Sequence, residues 1–547
     1  MRGAPVMRRP FLRSVASCVC LLAGVAAVQA QLGRREAEWM TSGGDAQRSH
    51  WIPADARISR ESLESAGFRF LWKVKLDNGA VQLQSLAPAV LIDRYIGYRG
   101  FRSLAFVGGS SNDVSAIDTD LSRVEWQHRF QLPASPSGSS VCPGGQTANV
   151  ARETTVAYPP LEAVGGGLGG RSAPASSAIG EPNEGAVTLA PALAAVARGP
   201  VRRAQRLRLP AVLYVAAGDG MLHSLYLSTG MEAGPPLAFL PPNANAQGLI
   251  VLDGVAYATT GNCGGAFSGV WALDIASKEV NKWNPSQGAI AGETGPAFGP
   301  DGTVYAATDG GELVALSARS LHPIGSYATG GQPFTSSPVV FPYKGKTLLA
   351  AATKDGRIRL VDGASLGGPD NQKLLFATQA FASDSGFAPK ALATWQALDG
   401  VRWLLTASGA APASGAGFPA SNGPVNNGAV VAWRVVDRNG IPSLEPGWLS
   451  RNLISPLTPV IINGVVFAVS SGEFQPTDSS LPAPERVRRS SPAVLYALDG
   501  TTGKAIWDSG TSITSFVHSG GLSGQAGQLY LETFDETLYA FGFPMEH

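Results

Sequence analysis

Two cysteines of this sequence, Cys142 and Cys263, could form a disulfide bond with each other. Of the four cysteines in the 547-residue chain, Cys18 and Cys20 lie in an apolar N-terminal run, which leaves Cys142 and Cys263. Each is followed by glycines, which are typical of loops. In an oxidising compartment, two thiols more often form a disulfide than a reactive site. We therefore predict a Cys142–Cys263 disulfide.

Other patterns that carry chemistry are weak in this sequence. No Cys-x-x-Cys-His occurs, which excludes a covalently attached haem. The glycine-rich stretch 108–111 lacks the following helix that a phosphate site requires. The histidines are scattered singly, without metal-ligand spacing; they are His50, His128, His223, His322, His518 and His547. We expect His128 and His223, each alone in a predicted strand, to be structural.

The first 30 residues have the organisation of a secretory signal peptide. Four arginines precede an apolar run at 15–28, and Val28-Gln29-Ala30 is a small-residue cleavage site. The apolar run has 14 residues, fewer than the roughly 18–20 of a retained membrane anchor. A lipoprotein start at Cys18 is the other alternative. We predict cleavage near Ala30, a mature start at Gln31 and a periplasmic or secreted protein.

The composition indicates a folded protein whose net charge does not attract nucleic acid. Hydrophobic residues make up 44% of the chain and charged residues 15%, which suits a packed core. Without the signal peptide, 38 basic residues face 41 acidic ones. No strong positive field would attract nucleic acid, so nucleic-acid partners are excluded.

A repeated hairpin unit organises the mature chain. Its clearest copy is 494–507, VLYALDGTTGKAIW, in which an alternating apolar strand ends at Asp499 and a second strand carries Trp507. Between them, Gly503 is free to take a positive φ in the turn. Copies at 115–126 and 270–283 keep an aspartate eight or nine residues before a tryptophan. Strands that recur every 40 to 50 residues or so predict a β-propeller.

The repeats predict an all-β, eight-bladed propeller of four-stranded blades. The last copy lacks an outer strand, and residues 68–77 form a strand without a partner, so we expect that strand to complete the last blade and close the ring. The predicted blades are 83–130, 209–240, 246–283, 292–328, 333–378, 388–449, 454–509, and 515–543 with 68–77. Seven blades are the alternative, because insertions at 410–428 and 475–491 interrupt two of the eight.

Three segments lie outside the regular repeats. Residues 1–30 are the signal peptide, and 31–67 form an N-terminal lead-in before the propeller at 68–547. The largest interruption is a Gly/Pro-rich insertion at about 133–208, which we expect to be flexible because it has too little apolar surface to fold alone. Its end holds five arginines between 198 and 208. They form either a solvated face or a contact for an anionic partner.

Two further stretches give the chain a family resemblance. The opening Trp39…Gly43-Gly44-Asp45…Arg48 and residues 257–274 (YATTGNCGGAFSGVWALD) resemble the quinoprotein alcohol dehydrogenase propellers, which carry pyrroloquinoline quinone (PQQ). In that family, an asparagine at a Gly-Thr-Gly-Asn strand end binds calcium. The resemblance implies this role for Asn262, whose amide oxygen is a suitable calcium ligand. A turn residue beside glycine is the alternative reading of Asn262.

The rest of the family's active site is matched poorly. Where the family has its catalytic aspartate, this chain offers only Glu293. The family also has a tryptophan beneath the quinone and two adjacent cysteines over it. Here residues 231–270 contain no tryptophan, and no two cysteines are adjacent. A quinone needs a clamped ring and a base beside it, and most of these parts are missing.

Two functions remain, and the sequence leaves open whether the protein is an enzyme. The first is an exported, non-catalytic propeller that binds a protein or small molecule on one of its faces, like the PQQ-repeat lipoprotein of outer-membrane assembly. The second is a divergent dehydrogenase that uses PQQ and calcium to oxidise an alcohol or sugar. We favour the first, because the repeats are present and the quinone-clamping residues are not.

Overall fold

The computed structural model describes residues 38–65, 67–78, 82–97, 100–132, 142, 145–156, 211–264, 266–382, 388–413, 415–419, 421–518 and 521–544. The predicted signal peptide and most of the predicted insertion lie outside these residues. Neither helix of the described chain has the length and apolar character needed to span a bilayer. The helices are α1 (Arg60–Glu64) and α2 (Ala483–Arg489), with a 3-10 turn at Gly363–Ser365.

Strands make up the rest of the regular structure. The N-terminal half holds β1 (Trp51–Ile52), β2 (Arg69–Lys75), β3 (Val90–Gly97), β4 (Gly100–Gly109), β5 (Asp113–Asp118), β6 (Arg123–Arg129), β7 (Asn149–Ala151), β8 (Glu153–Thr154), β9 (Val212–Ala216), β10 (Met221–Tyr226), β11 (Leu237–Ala238), β12 (Ala246–Leu252), β13 (Val255–Thr260), β14 (Gly269–Asp274) and β15 (Val280–Trp283). The C-terminal half holds β16 (Ala297–Phe298), β17 (Val304–Ala307), β18 (Glu312–Leu316), β19 (Pro323–Ala328), β20 (Val339–Tyr343), β21 (Lys346–Thr353), β22 (Arg357–Asp362), β23 (Phe376–Ala377), β24 (Leu392–Gln396), β25 (Arg402–Ser408), β26 (Ala429–Arg438), β27 (Ile441–Leu449), β28 (Val460–Ile462), β29 (Val465–Ser470), β30 (Val494–Asp499), β31 (Ala505–Asp508), β32 (Leu522–Gln525), β33 (Gln528–Glu532) and β34 (Thr537–Gly542).

These strands form eight blades, which confirms the predicted all-β propeller and its count of eight rather than seven. In chain order the blades are β3–β6, then β7 with β9–β11, then β12–β15, β16–β19, β20–β23, β24–β27, β28–β31, and finally β32–β34 with β2. Two short strands add to inner edges in parallel, β8 beside β12 and β1 beside β28. We number the blades 1 to 8 in this order, and the first strand of each is its inner strand.

The chain's own N-terminal part closes the ring, as predicted. Strand β2 pairs antiparallel with β34, and Phe70 lies opposite Phe541 and Val74 opposite Leu538. Blade 8 therefore takes three strands from the C-terminus and its outer strand from residues 69–75. Pairing the first and last parts of the chain in one blade closes the ring.

Blade 2 differs from its predicted range of 209–240. Its inner strand is Asn149–Ala151, which pairs with β9 although about 60 residues separate the two. A strand of three residues is too short for an alternating pattern to be recognised. Residues 145–156 therefore belong to the ring, although they fall inside the range predicted as an insertion.

The core lies between neighbouring blades. One buried apolar cluster joins blades 5 and 6, with Phe341 and Trp433 among its members, and similar clusters join blades 1 to 7 pairwise. Each blade is thus stabilised chiefly by the next one, as expected of a radial repeat.

The Asp-to-Trp hairpin of blade 7 is linked through its turn to blade 6. In blade 7, Asp499 Oδ1 accepts the backbone N–H groups of Thr501 and Thr502 at 3.0 and 2.8 Å and so holds the turn. Trp448 of blade 6 donates its indole N–H to Gly500 O at 3.0 Å. The Trp448 ring also covers Gly503, where a Cβ atom would lie 2.3 Å from ring atom Cε3. The turn therefore needs glycine both for its φ of +70° and for space.

Replacing Gly503 with alanine should lower the free energy of unfolding by about 2–4 kcal/mol, because the strain of a positive φ adds to a clash with Trp448. Chemical denaturation measures the change. Gly440→Ala is the matched control, since Gly440 has a φ of +81° in the outer turn of blade 6 but no atom within 4 Å of a built Cβ. It should cost only about 1 kcal/mol, and equal losses in the two variants would contradict the docking of Trp448.

Candidate functional site

The N-terminal residues 38–52, which we call the channel segment, follow the inner strands around the ring. The backbone carbonyls of this segment accept N–H groups from the inner strands of blades 1, 4, 5, 6 and 7. The donors are Leu91, Phe298, Val340, Thr394 and Ile461, and the distances are 2.8–3.1 Å. Residues 38–52 of the predicted lead-in therefore form an inner lining that contacts five blades of the propeller.

Positive-φ residues allow the channel segment to turn sharply inside the ring. Gly43 and Gly44 have φ values of +77° and +87°, and a Cβ on Gly44 would lie 3.0 Å from the Trp39 ring. Arg48 and His50 also have positive φ, at +59° and +54°. In the opening Trp39…Gly43-Gly44-Asp45…Arg48 motif, the two glycines and Arg48 therefore lie where the chain turns.

Arg48 is the central buried group of the channel segment, with 1% of its surface exposed. Its guanidinium donates to four neutral acceptors: Pro296 O at 2.9 Å, Thr41 Oγ1 at 2.8 Å, Gly248 O at 2.7 Å and Ser42 O at 2.5 Å. No described carboxylate lies within ion-pair distance of it. Burial lowers the pKa of Arg48 to about 9, although the charge of Asp45 opposes this shift.

The imidazole of His50 lies beside Arg48 and is neutral at pH 7. Its Nδ1 donates to Arg48 O at 3.0 Å. Burial lowers the pKa of His50 to about 4, and the nearby Arg48 charge lowers it further. The channel segment therefore carries a neutral imidazole, not an imidazolium, at position 50.

A small cavity remains between the channel segment and one face of the propeller. It has a volume of about 110 Å³ and is lined by Ser42, Gly43 and His50 together with the first residues of inner strands and the loops before them. The only charged side chains among its described lining residues are Glu293 and Lys390, which form an ion pair at 3.6 Å. The described lining residues include no phenylalanine, tyrosine or tryptophan, and His50 is the only histidine among them.

The two residues suggested by the family resemblance lie in different surroundings. Glu293 lines the central cavity, and 32% of its side chain is exposed. Asn262 is exposed in the loop after β13 and is not among the described residues that line the cavity. The structure pairs Glu293 with Lys390, which lies 97 residues later and which the sequence analysis did not single out. An ion pair between two residues so far apart along the chain cannot be recognised from the sequence.

The predicted disulfide between Cys142 and Cys263 is present, with the two Cα atoms 5.1 Å apart. Cys142 precedes the inner strand of blade 2, and Cys263 lies in the loop between β13 and β14 of blade 3. Gln146 Nε2 also lies 3.2 Å from Cys142 Sγ and donates to Asn243 O at 2.7 Å. The bond thus ties the start of blade 2 to the loop that carries Asn262.

His223 has partners that the sequence analysis did not foresee. Its Nδ1 lies 2.5 Å from Glu232 Oε1 and its Nε2 lies 3.0 Å from Asp219 Oδ2. Burial disfavours the charged ring, but the two carboxylates outweigh burial and raise the pKa of His223. The carboxylates contact opposite nitrogens of the ring, and no described group of histidine, cysteine or acidic residues could hold a metal ion. A structural role for His223 stays a prediction, and its two carboxylate contacts are consistent with it.

Comparison with known proteins identifies the fold. No protein-family model and no curated protein matches the sequence. Among solved structures, the quinohemoprotein alcohol dehydrogenase of Comamonas testosteroni is similar, with 14% identity over 93% of this chain and 81% of that chain and a TM-score of 0.53. A quinohemoprotein alcohol dehydrogenase of Pseudomonas putida HK5 gives 13% identity over the same shares and a TM-score of 0.54. A europium-containing methanol dehydrogenase gives 11% identity over 94% of this chain and 99% of that chain, with a TM-score of 0.52. The TM-scores show a shared propeller fold, and at 11–14% identity the likeness shows the fold alone.

Proposed function

We propose that this chain is an exported binding or scaffold propeller that holds a partner on its loop faces without a working quinone site. The observation that carries the proposal is the filled channel. The channel segment occupies the centre of the ring and leaves a cavity of about 110 Å³, whereas small-molecule sites usually measure roughly 300–1,000 Å³.

The side chains around the cavity support the same conclusion. A quinone ring needs a flat aromatic surface to hold it and a base beside the substrate. The cavity offers no tryptophan, tyrosine or phenylalanine among its described lining residues, and its one carboxylate, Glu293, is paired with Lys390. Asn262 lies outside that lining. The residues present do not fit PQQ with calcium, so no reaction step is assigned to them.

A divergent PQQ- and calcium-dependent dehydrogenase is the second candidate. Its support is the propeller fold shared with two quinohemoprotein alcohol dehydrogenases and a methanol dehydrogenase. Under this alternative Asn262 would bind calcium, Glu293 would be the catalytic base, and an alcohol or sugar would be oxidised.

Incubation of the mature chain with PQQ and calcium, followed by a dye-reduction assay with alcohols and aldoses, should give no turnover above the protein-free control. Saturable dye reduction that Asn262→Ala or Glu293→Ala abolishes would establish the dehydrogenase instead. Asn281→Ala and Glu279→Ala are matched controls, because both residues lie on the outer part of blade 3. They should leave any turnover unchanged.

We further propose that the protein acts in the periplasm or outside the cell. The support is the signal-peptide pattern at 1–30 and the Cys142–Cys263 disulfide, since disulfides persist mainly in exported proteins. Nucleic acid is not an expected partner, because the mature chain has a slight excess of acidic residues.

A further inference from the structure

A second concave site lies between blades 6 and 7, away from the central cavity. We call it the blade 6–7 groove; it measures about 950 Å³. One wall is formed by residues 409–411, 426 and 427 of the loop between β25 and β26. The other is formed by residues of the loop 471–493 between β29 and β30, and Ile454 and Ser455 also line the groove. The equivalent loop of blade 4 has only four residues, 308–311. Both walls are therefore insertions that the propeller itself does not require.

The wall from blade 7 is held in a fixed conformation. Arg486 of α2 is 5% exposed and donates to Glu473 Oε1 at 3.3 Å, to Gln475 O at 2.8 Å and to Asp478 O at 2.5 Å. His518 Nδ1 lies 2.6 Å from the same Glu473 oxygen. This buried cluster fastens the inserted loop to the propeller.

The wall from blade 6 is anchored as well. Phe418 packs against Phe381 and Trp433, with ring centroids 5.4 and 5.3 Å apart. Asn452 Oδ1 accepts the backbone N–H groups of Asn426 and Asn427 at 2.9 and 2.8 Å. Both walls are thus ordered before any ligand arrives, which lowers the entropic cost of binding.

The lining of the groove suits a peptide chain. Asn426, Asn427 and Gln475 are exposed and line it, and side-chain amides can donate to and accept from peptide groups. Ile454 is 44% exposed and offers an apolar contact. In protein recognition, asparagine and serine side chains supply adaptable hydrogen bonding.

The unbalanced charge in the groove is positive. The carboxylate of Glu473 is engaged by Arg486 and His518. The other charged side chains among the described lining residues are the cations Lys354 and Arg489 and the carboxylate of Asp478. Asp478 accepts a hydrogen bond from Ser480 N–H at 2.9 Å and keeps its negative charge, so one positive charge is left over. Lys354 lines the groove, is exposed and forms no ion pair with a described residue. Arg489 stacks on Phe474, 3.5 Å from the ring centroid, and its carboxylate contact is at 3.8 Å.

From this geometry we propose that the blade 6–7 groove binds an extended, acidic peptide segment of a partner protein. The peptide backbone pairs with the amide side chains, and its carboxylates face Lys354 and Arg489. The inference deepens the proposed binding function by naming the surface and the chemistry of the partner, and it rests on that function.

Selection of random seven-residue peptides displayed on phage against the full-length mature protein tests the proposal. The enriched sequences should contain an excess of aspartate and glutamate. In fluorescence anisotropy, a labelled selected peptide should bind Lys354→Glu about tenfold more weakly than the wild type and should lose affinity as salt is added. Asn427→Trp should block binding by filling the groove.

Lys346→Glu is the matched control. Lys354 directly follows β21 of blade 5, and Lys346 is an exposed lysine at the other end of the same strand. This variant should bind the peptide as the wild type does. No enrichment, enrichment without acidic residues, or equal binding by the two lysine variants would each overturn the proposal. The assay contains no PQQ, so dehydrogenase turnover would refute the scaffold function without affecting this result. Failure of peptide binding, conversely, would leave the absence of turnover unchanged.

Discussion

Replacing Arg48 with alanine is expected to lower the free energy of unfolding by about 3–5 kcal/mol, a large fraction of a typical protein's stability. The guanidinium satisfies four buried acceptors from three different parts of the ring: the channel segment, Gly248 of blade 3 and Pro296 before blade 4. Its removal leaves those oxygens without a donor and opens a cavity at the centre. Urea denaturation of the mature protein measures the loss.

Two further variants define the cause of that loss. Arg94→Ala removes a side chain that is 78% exposed and whose described ion pair is with its neighbour Asp93, so it should cost less than about 0.5 kcal/mol. Arg48→Lys keeps the charge but offers three donors in place of a planar fork, and it should fall between the wild type and alanine. A loss below about 1 kcal/mol for Arg48→Ala would show that the channel segment does not hold the blades together.

The ring and its closure could be predicted because they depend on local signals that recur. Asp499, Gly503 and Trp507 mark a strand, a turn and an outer strand within fifteen residues or so, and the copies differ little. The unpaired strand at 69–75 could then be matched to the blade that lacked one. A propeller depends on contacts between successive units, so a pattern repeated along the chain carries most of its architecture.

The channel segment could not be located from sequence, because its partners are far away along the chain. Arg48 contacts Gly248 and Pro296, about 200 and 250 residues later. A positive φ is uncommon for residues other than glycine, so Arg48 and His50 gave no clear sign of the turns that fold this segment into the ring. The family resemblance drew attention to the motif without indicating that it fills the channel.

The contents of the candidate site were harder still to foresee. The family resemblance suggested Glu293 and Asn262 together, but of the two only Glu293 is among the described residues that line the cavity. The disulfide could be predicted because two cysteines have a single pairing once Cys18 and Cys20, which lie in the predicted signal peptide, are set aside. The partner of Glu293 could not, since any of the lysines could have filled that place.

Glu532 should make the stability of this protein fall as the pH rises from about 4.5 to about 8. Its side chain is 2% exposed in blade 8, and burial raises its pKa to about 8, although Oε1 accepts Ala89 N–H at 3.0 Å. The folded protein therefore holds a proton that the unfolded chain releases above its ordinary pKa of 4.5. The stability is present below that pKa and is lost by pH 8, a change of at most about 4–5 kcal/mol.

Glu532→Gln tests this, because glutamine keeps an oxygen for Ala89 and carries no proton to lose. Unfolding free energies measured from pH 5 to 9 should decline less steeply in the variant, which should be the more stable protein at pH 8. His223 contributes a decline of the same sign in both proteins, so the difference between them isolates Glu532. Glu279→Gln, at an exposed position, should follow the wild type.

Parallel profiles for Glu532→Gln and the wild type would contradict a buried, protonated carboxyl at the blade 8 to blade 1 contact. The expected divergence would instead make the closure of the ring the pH-sensitive part of the fold, because Ala89 directly precedes the inner strand of blade 1.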